Sequence, residues 1–96
     1  MKSLSGIKVL DLSRVLAGPL CAQALGDLGA EIIKVEAPGK PDPIREWGKA
    51  RYQGRSLWWP VQSRNKKCVT LNLRHEQGQA LLLRLVEHAD VVVENF

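Results

Sequence analysis

The stretch from Ile7 to Glu36 constrains the fold of this chain more than any other. An apolar strand (Ile7, Val9, Leu10, Leu12) runs into the turn Ser13-Arg14-Val15-Leu16-Ala17-Gly18-Pro19. A helix of small and apolar residues follows, with Cys21, Ala22, Leu25 and Leu28 sharing one face at helical spacing. Pro19 suits the first helical position, where its missing N–H would be unpaired in any case. Gly29 is a natural C-terminal cap. A second strand, Glu31 to Glu36, begins at once. This is a complete strand–helix–strand unit. In such units the turn after the first strand aims free helix amides at a ligand, often a phosphate.

A second unit starts at Cys68. Val69, Leu71 and Leu73 alternate with Thr70 and Asn72, the period of a strand. A helix follows over 76–88, with Leu81, Leu82, Leu85, Val86 and Ala89 as its apolar face. Asp90 breaks it, and the valine run that follows is a fourth strand, expected to be buried on both sheet faces. The sequence thus predicts an α/β fold, a Rossmann-like parallel sheet with right-handed crossovers. Its strands are placed at 7–12, 31–36, 68–73 and 91–94, and its helices at 19–28 and 76–88. Residues 37–67 form an irregular excursion between the units. Pro38, Gly39, Lys40, Pro41, Asp42 and Pro43 make its first part turn-rich, and the aromatic segment 56–62 reads as a short helix or a lid anchor. Two helices cover roughly one face of four strands, yet the strands are apolar on both. Residues 1–96 are therefore expected to be the front part of a larger domain, or to have the open face covered by a partner chain.

Composition narrows the function classes. The chain has 96 residues, 45% of them hydrophobic, so it should fold rather than stay disordered. A net charge of +4 is a mild basic excess without the dense cluster of a nucleic-acid arm. It fits a basic rim around an anionic cofactor or a plain solvated surface. No apolar run approaches the ~18 residues of a membrane span, and no secretory segment precedes the first strand, so the cytoplasm is the expected location. Cys21 and Cys68 lack CxxC spacing and metal-ligand neighbours, and are expected to be small buried hydrophobes. No metal site is expected.

In parallel sheets, ligands bind beyond the carboxyl ends of the strands. Arg14, Val15, Leu16 and Ala17 follow the first strand there, Ala37 and Pro38 the second, Arg74 the third, and Asn95 and Phe96 the fourth. Two guanidinium groups, a helix N-terminus and an amide thus share one rim, which suits a phosphorylated, extended cofactor. The run Arg64-Asn65-Lys66-Lys67 lies at the opposite, amino end of its strand and reads as a solvated turn, unless the excursion folds back as a lid and brings it to phosphate. A nicotinamide fold is the alternative suggested by Glu36 at the end of the second strand. Against it, the first turn lacks GxGxxG and has Leu20 and Cys21 where a pyrophosphate needs glycine. No nucleophile–base pair stands out. His75 and His88 are expected at the surface, and none of the aspartates has the setting of an activated carboxylate.

Gly6-Ile7-Lys8-Val9-Leu10-Asp11-Leu12-Ser13-Arg14-Val15-Leu16-Ala17-Gly18-Pro19 resembles the opening of the class III CoA-transferases, the CaiB/BaiF family. So do Leu28 to Glu36, Asn65-Lys66-Lys67 and Val93-Glu94-Asn95-Phe96, in order and with family-like spacing. The resemblance implies an enzyme that moves CoA from an acyl-CoA to a carboxylic acid through an aspartyl-CoA thioester, working as an interlocked homodimer. It implies CoA as substrate, no metal, and no nucleic-acid or membrane partner. It places CoA contacts at Ala17, Leu71, Arg74, Asn95 and Phe96; Asn72 and Leu73, between two of these, and Arg14, on the same rim, complete the candidate cofactor-binding set. Leu16 and Ala37 stand at contact positions where some members have polar or basic residues. The family's catalytic aspartate lies beyond Phe96, and none of Asp11, Asp27, Asp42 or Asp90 matches it. The chain is therefore expected to be the N-terminal, CoA-binding portion of such an enzyme and to lack transfer activity alone. Two other readings stay open: a non-catalytic CoA-binding or self-associating remnant, and a piece of an α-methylacyl-CoA racemase.

Overall fold

A computed structural model describes residues 2–96. In chain order the elements are β1 (Lys8–Asp11), α1 (Ala17–Asp27), β2 (Glu31–Glu36) and a 3-10 helix (Pro43–Glu46). Then come β3 (Arg51–Tyr52), β4 (Arg55–Ser56), α2 (Trp58–Ser63), β5 (Lys66–Thr70), α3 (Glu76–Val86) and β6 (Val91–Val93). The main sheet is four-stranded in the order β5-β2-β1-β6, and all three pairings are parallel. The chain steps outward from β1 to β2 to β5, then crosses back to β6 on the other side of β1. That reversal marks a topological switch point between β1 and β6.

Register decides which side chains meet. Val9 lies opposite both Ile32 and Val91, and Val9, Ile32, Ala22 and Ala30 form the buried cluster, with Leu4, Ile7, Leu25 and Val93 packed against it. The helix that closes this core does so mainly with small residues: of its buried positions Gly18, Pro19, Ala22, Gln23 and Gly26, only Gln23 is long, and its Nε2 donates to the Val61 carbonyl. This differs from the expected face. Cys21 and Leu28 are exposed, because a helix that lies close on a sheet presents its small side chains inward. Gly26 shows the closeness, since a Cβ there would come within 3.0 Å of the Ile32 side chain. Cys68 is exposed as well, being on an edge strand with a neighbour on one side only. Gly29 takes φ +111 just past the helix end, as its capping role requires. Pro19 sits in the first turn, two positions after the helix starts.

Three expectations need correction. The third strand starts at Lys66 and ends at Thr70 rather than spanning 68–73, because it pairs from Ile32↔Lys66 to Glu36↔Thr70 along β2. The excursion 37–67 is not irregular throughout. Asp42 caps the 3-10 helix by accepting from the Ile44 amide, β3 and β4 form an antiparallel hairpin around Gln53 and Gly54 at positive φ, and α2 follows. Trp47, just past the 3-10 helix, packs edge-on against Trp58, with ring centroids 5.8 Å apart, which ties the end of that helix to α2. Finally, α1 and α3 do not share a face. Their crossovers run in opposite directions along the sheet, and right-handedness then puts them on opposite sides. Val69 and Val92, on the side away from α1, stay exposed at 39% and 45%.

Candidate CoA-binding site

A cleft of ≈ 600 Å³ opens at the carboxyl ends of the strands. Its floor is apolar, formed by Leu12, Val35, Leu71 and Leu73, which follow the pleat of β1, β2 and β5 on the side away from α1. Its walls are the loop from Ala37 to Lys40 and the turn Asn72 to Arg74. Phe96, 86% exposed, stands at the mouth. Gly78 lets α3 start against that turn: a Cβ there would lie 1.9 Å from the Asn72 carbonyl oxygen. His75 caps α3, its Nδ1 accepting from the Gln77 amide.

The charges around the cleft are unevenly matched. Glu36 accepts from Arg45 at 2.6 and 3.0 Å and from the Asp42 amide at 2.8 Å. Arg45 also lies 3.7 Å over the Trp59 ring. Burial would push the Glu36 carboxyl up, but the Arg45 guanidinium and the Asp42 amide outweigh it and leave it below its ordinary value. Asp42 is fully buried, with Oδ2 2.8 Å from Lys34 Nζ and Oδ1 accepting from the Val15 and Ile44 amides. Its carboxyl too ends below the ordinary range, since Lys34 and those amides overcome the burial cost. Both acids are therefore spoken for. Arg14, Lys40 and Arg74 also line the cleft, and among the described residues none of their side chains has an ion-pair partner. The cleft thus presents three unneutralised cations over an apolar floor, a setting for an anionic ligand with an apolar arm.

Of the residues singled out in the sequence, Arg14, Ala37, Leu71, Asn72, Leu73, Arg74 and Phe96 line this one cleft. Leu16 and Ala17 are exposed at the start of α1, outside the lining. Asn95 is engaged elsewhere: its Oδ1 accepts from the Arg14 amide at 3.1 Å and its Nδ2 donates to the Arg14 carbonyl at 2.8 Å. It clips the ends of β1 and β6 together across the switch point. Lys40 joins the cleft without having been singled out. Lys66, expected in a solvated turn, instead starts β5 with its side chain buried, Nζ 2.9 Å from Asp11 Oδ2 and 2.9 Å from the Pro19 carbonyl. The signal for it was Asp11, an acid inside an apolar strand that needs a buried partner.

The model of CoA-transferase family III matches residues 4–96. The chain belongs to CoA-transferase family III. Its CoA-transferase relatives include the succinyl-CoA–D-citramalate CoA-transferase of Chloroflexus aurantiacus, 60% identical over 99% of this chain and 24% of the relative. Human succinyl-CoA:glutarate CoA-transferase is 45% identical over the whole chain and 22% of its own length. Among solved structures, a CaiB/BaiF family protein from Brucella suis superposes with a TM-score of 0.88 at 45% identity, covering 99% of this chain and 26% of that one. The chain thus spans about a quarter of the length of these relatives. Among the described residues of this family member no group of three or more His, Cys, Asp or Glu could hold a metal ion. Nor is any helix among the described residues long and apolar enough to cross a membrane.

Proposed function

We propose that the chain is the N-terminal CoA-binding part of an enzyme that transfers CoA from an acyl-CoA to a carboxylic acid. The observation that carries this reading is the cleft itself, with Arg14, Lys40 and Arg74, none in an ion pair among the described residues, around an apolar floor. CoA offers phosphates for the guanidinium groups, which bind phosphate oxygens bidentately, and a pantetheine arm for Leu12, Val35, Leu71 and Leu73. Ala37, Asn72 and Phe96 would contact it along the walls, and Leu16 and Ala17 at the start of α1. Asn95 would act by holding the Arg14 turn. Succinyl-CoA is the donor to test first, because the relatives just named are succinyl-CoA transferases.

The covalent step, an aspartyl-CoA thioester formed by a carboxylate nucleophile, finds no candidate here. Asp11 is paired with Lys66, Asp42 with Lys34, Asp27 with Arg64, and Asp90 accepts from the Lys8 amide. That supports a nucleophile carried by a part of the enzyme other than these residues, within the interlocked homodimer of the family. Isothermal titration of CoA into the chain tests the binding reading: saturable, one-to-one heat is expected, and its absence would reject it. Incubation with succinyl-CoA and citramalate tests the other half. No citramalyl-CoA is expected by chromatography, and turnover by the chain alone would show that one of its own aspartates is the nucleophile.

A further inference from the structure

Three successive residues at the rim of the cleft have their backbone held almost wholly by side chains. The Ser13 amide donates to Asp11 Oδ1 at 3.0 Å, and the Ser13 carbonyl accepts from Lys34 Nζ at 3.0 Å. Asn95 takes both the amide and the carbonyl of Arg14. The Val15 amide donates to Asp42 Oδ1 at 2.9 Å. Val15 adopts φ 74, a left-handed conformation that is an outlier for a β-branched residue. Such strain persists only where the surroundings over-determine it, and it gathers at functional sites. The Lys34–Asp42 pair does the over-determining, since its two members grip the turn on either side of Arg14 and are themselves 2.8 Å apart with side chains 1% and 0% exposed.

We infer that the buried Lys34–Asp42 pair is a positioning clamp. It holds the Ser13–Val15 turn with Val15 left-handed and so presents Arg14 to the cleft, making affinity for CoA depend on Lys34, outside the cleft lining, and on Asp42, which borders the cleft with its carboxylate taken up by Lys34 and the turn. A simpler account is that the pair only anchors the excursion to the sheet, because Asp42 also caps the 3-10 helix. The two accounts differ at Val15. Under the clamp, the harm done by losing Asp42 comes from Val15 leaving φ 74, and glycine at that position removes the steric objection to positive φ. Under anchoring alone, glycine at 15 changes nothing. The ligand part of the inference rests on the CoA-binding reading; the grip on the turn does not.

The test measures CoA affinity by titration calorimetry and Val15 amide exchange by NMR in the 96-residue chain. Asp42→Ala is expected to weaken CoA binding roughly ten-fold, the scale of one strained backbone position, and to strip the Val15 amide of protection. Val15→Gly added to that background is expected to recover at least half of the loss on a logarithmic scale. Should Asp42→Ala leave too little folded protein, Lys34→Met/Asp42→Ala removes both charges together and leaves no unpaired buried ammonium. Unchanged affinity in the Asp42 variant, or a loss that glycine at 15 does not mend, overturns the clamp. If the unaltered chain binds no CoA, the proposed function falls, and amide exchange alone decides: lost protection at Val15 upholds the clamp, unchanged protection overturns it.

Discussion

Asp42 and Val15 stand 27 residues apart in the chain and meet at 2.9 Å, carboxylate to amide, at the rim of the cleft. The same carboxylate bonds Lys34, and Glu36 beside it bonds Arg45. Burial raises both acids, and their partners more than reverse it, so each has a folded pKa below its ordinary one. The folded chain therefore holds these protons less tightly than the unfolded chain. The stability they contribute is complete above an ordinary carboxylate pKa of about 4 and is lost as pH falls through the lower folded values. Thermal melting is expected to be nearly flat from about pH 5 to 7 and to fall steeply below about pH 4. Asp42→Asn should lower the melting temperature at neutral pH and reduce the acid slope. An unchanged slope would mean that Asp42 is not ionised in the folded chain.

Lys66 and Asp11 form the second buried pair, both side chains 0% exposed. Burial pushes the Lys66 ammonium down, with Asp11 pulling back. Asp11 has other partners too, the Ser13 amide and hydroxyl. Removing one member of a buried pair strands the other's charge, at about 3–5 kcal/mol, while removing both charges costs much less. Urea unfolding should therefore show Lys66→Met strongly destabilised and Lys66→Met/Asp11→Asn partly recovered. Additive losses in the double variant would contradict a coupled pair.

Gly78 offers a test in which helix propensity and packing disagree. Alanine in place of glycine usually stabilises a helix interior by about 1 kcal/mol. Here the new Cβ would meet the Asn72 carbonyl oxygen at 1.9 Å and its carbon at 2.7 Å, both of them backbone atoms. Overpacking of that kind costs roughly 1–3 kcal/mol, so Gly78→Ala is expected to lower stability in urea. A stabilised variant would show that α3 can lift off the turn without penalty. The turn is also the cleft wall, so CoA affinity should fall with it.

Much of this was legible in the sequence, for reasons particular to each stretch. The bounds of β2 were readable because Gly29 stops the helix before it and Pro38 closes the loop after it. The rim could be named because every parallel strand delivers its carboxyl end to one side. The buried face of α1 was only partly placed: Ala22 and Leu25 do meet the core, but periodicity weighs Cys21 and Leu28 above Gly18 and Gly26. The start of β5 was missed because Lys66 and Lys67 look like solvent-facing charges, and only the pairing with Asp11 explains one of them. The hairpin has two residues per strand, too short for alternation to register. Asp42 could not be placed at all, since its partners come from two other segments, Val15 from the turn after β1 and Lys34 and Glu36 from β2.

Arg14 and Arg74 bear most directly on function, because both line the cleft and, among the described residues, neither is in an ion pair. If they hold phosphates, each supplies a charge-assisted hydrogen bond worth about 1.5–3 kcal/mol. Arg74→Ala should then weaken CoA binding by roughly 10- to 100-fold, with Arg14→Ala similar. Arg74→Lys should recover only part, because an ammonium cannot match the guanidinium fork. Binding by the unaltered chain should weaken with added salt, and less steeply in either alanine variant. Arg64→Ala is the control. That side chain is half exposed and bonds Asp27, the last residue of α1, outside the cleft lining, where an exposed pair contributes little. Titration calorimetry at two ionic strengths reads all of these, and an Arg74→Ala variant that binds CoA as tightly as the unaltered chain would remove the phosphate role from this wall.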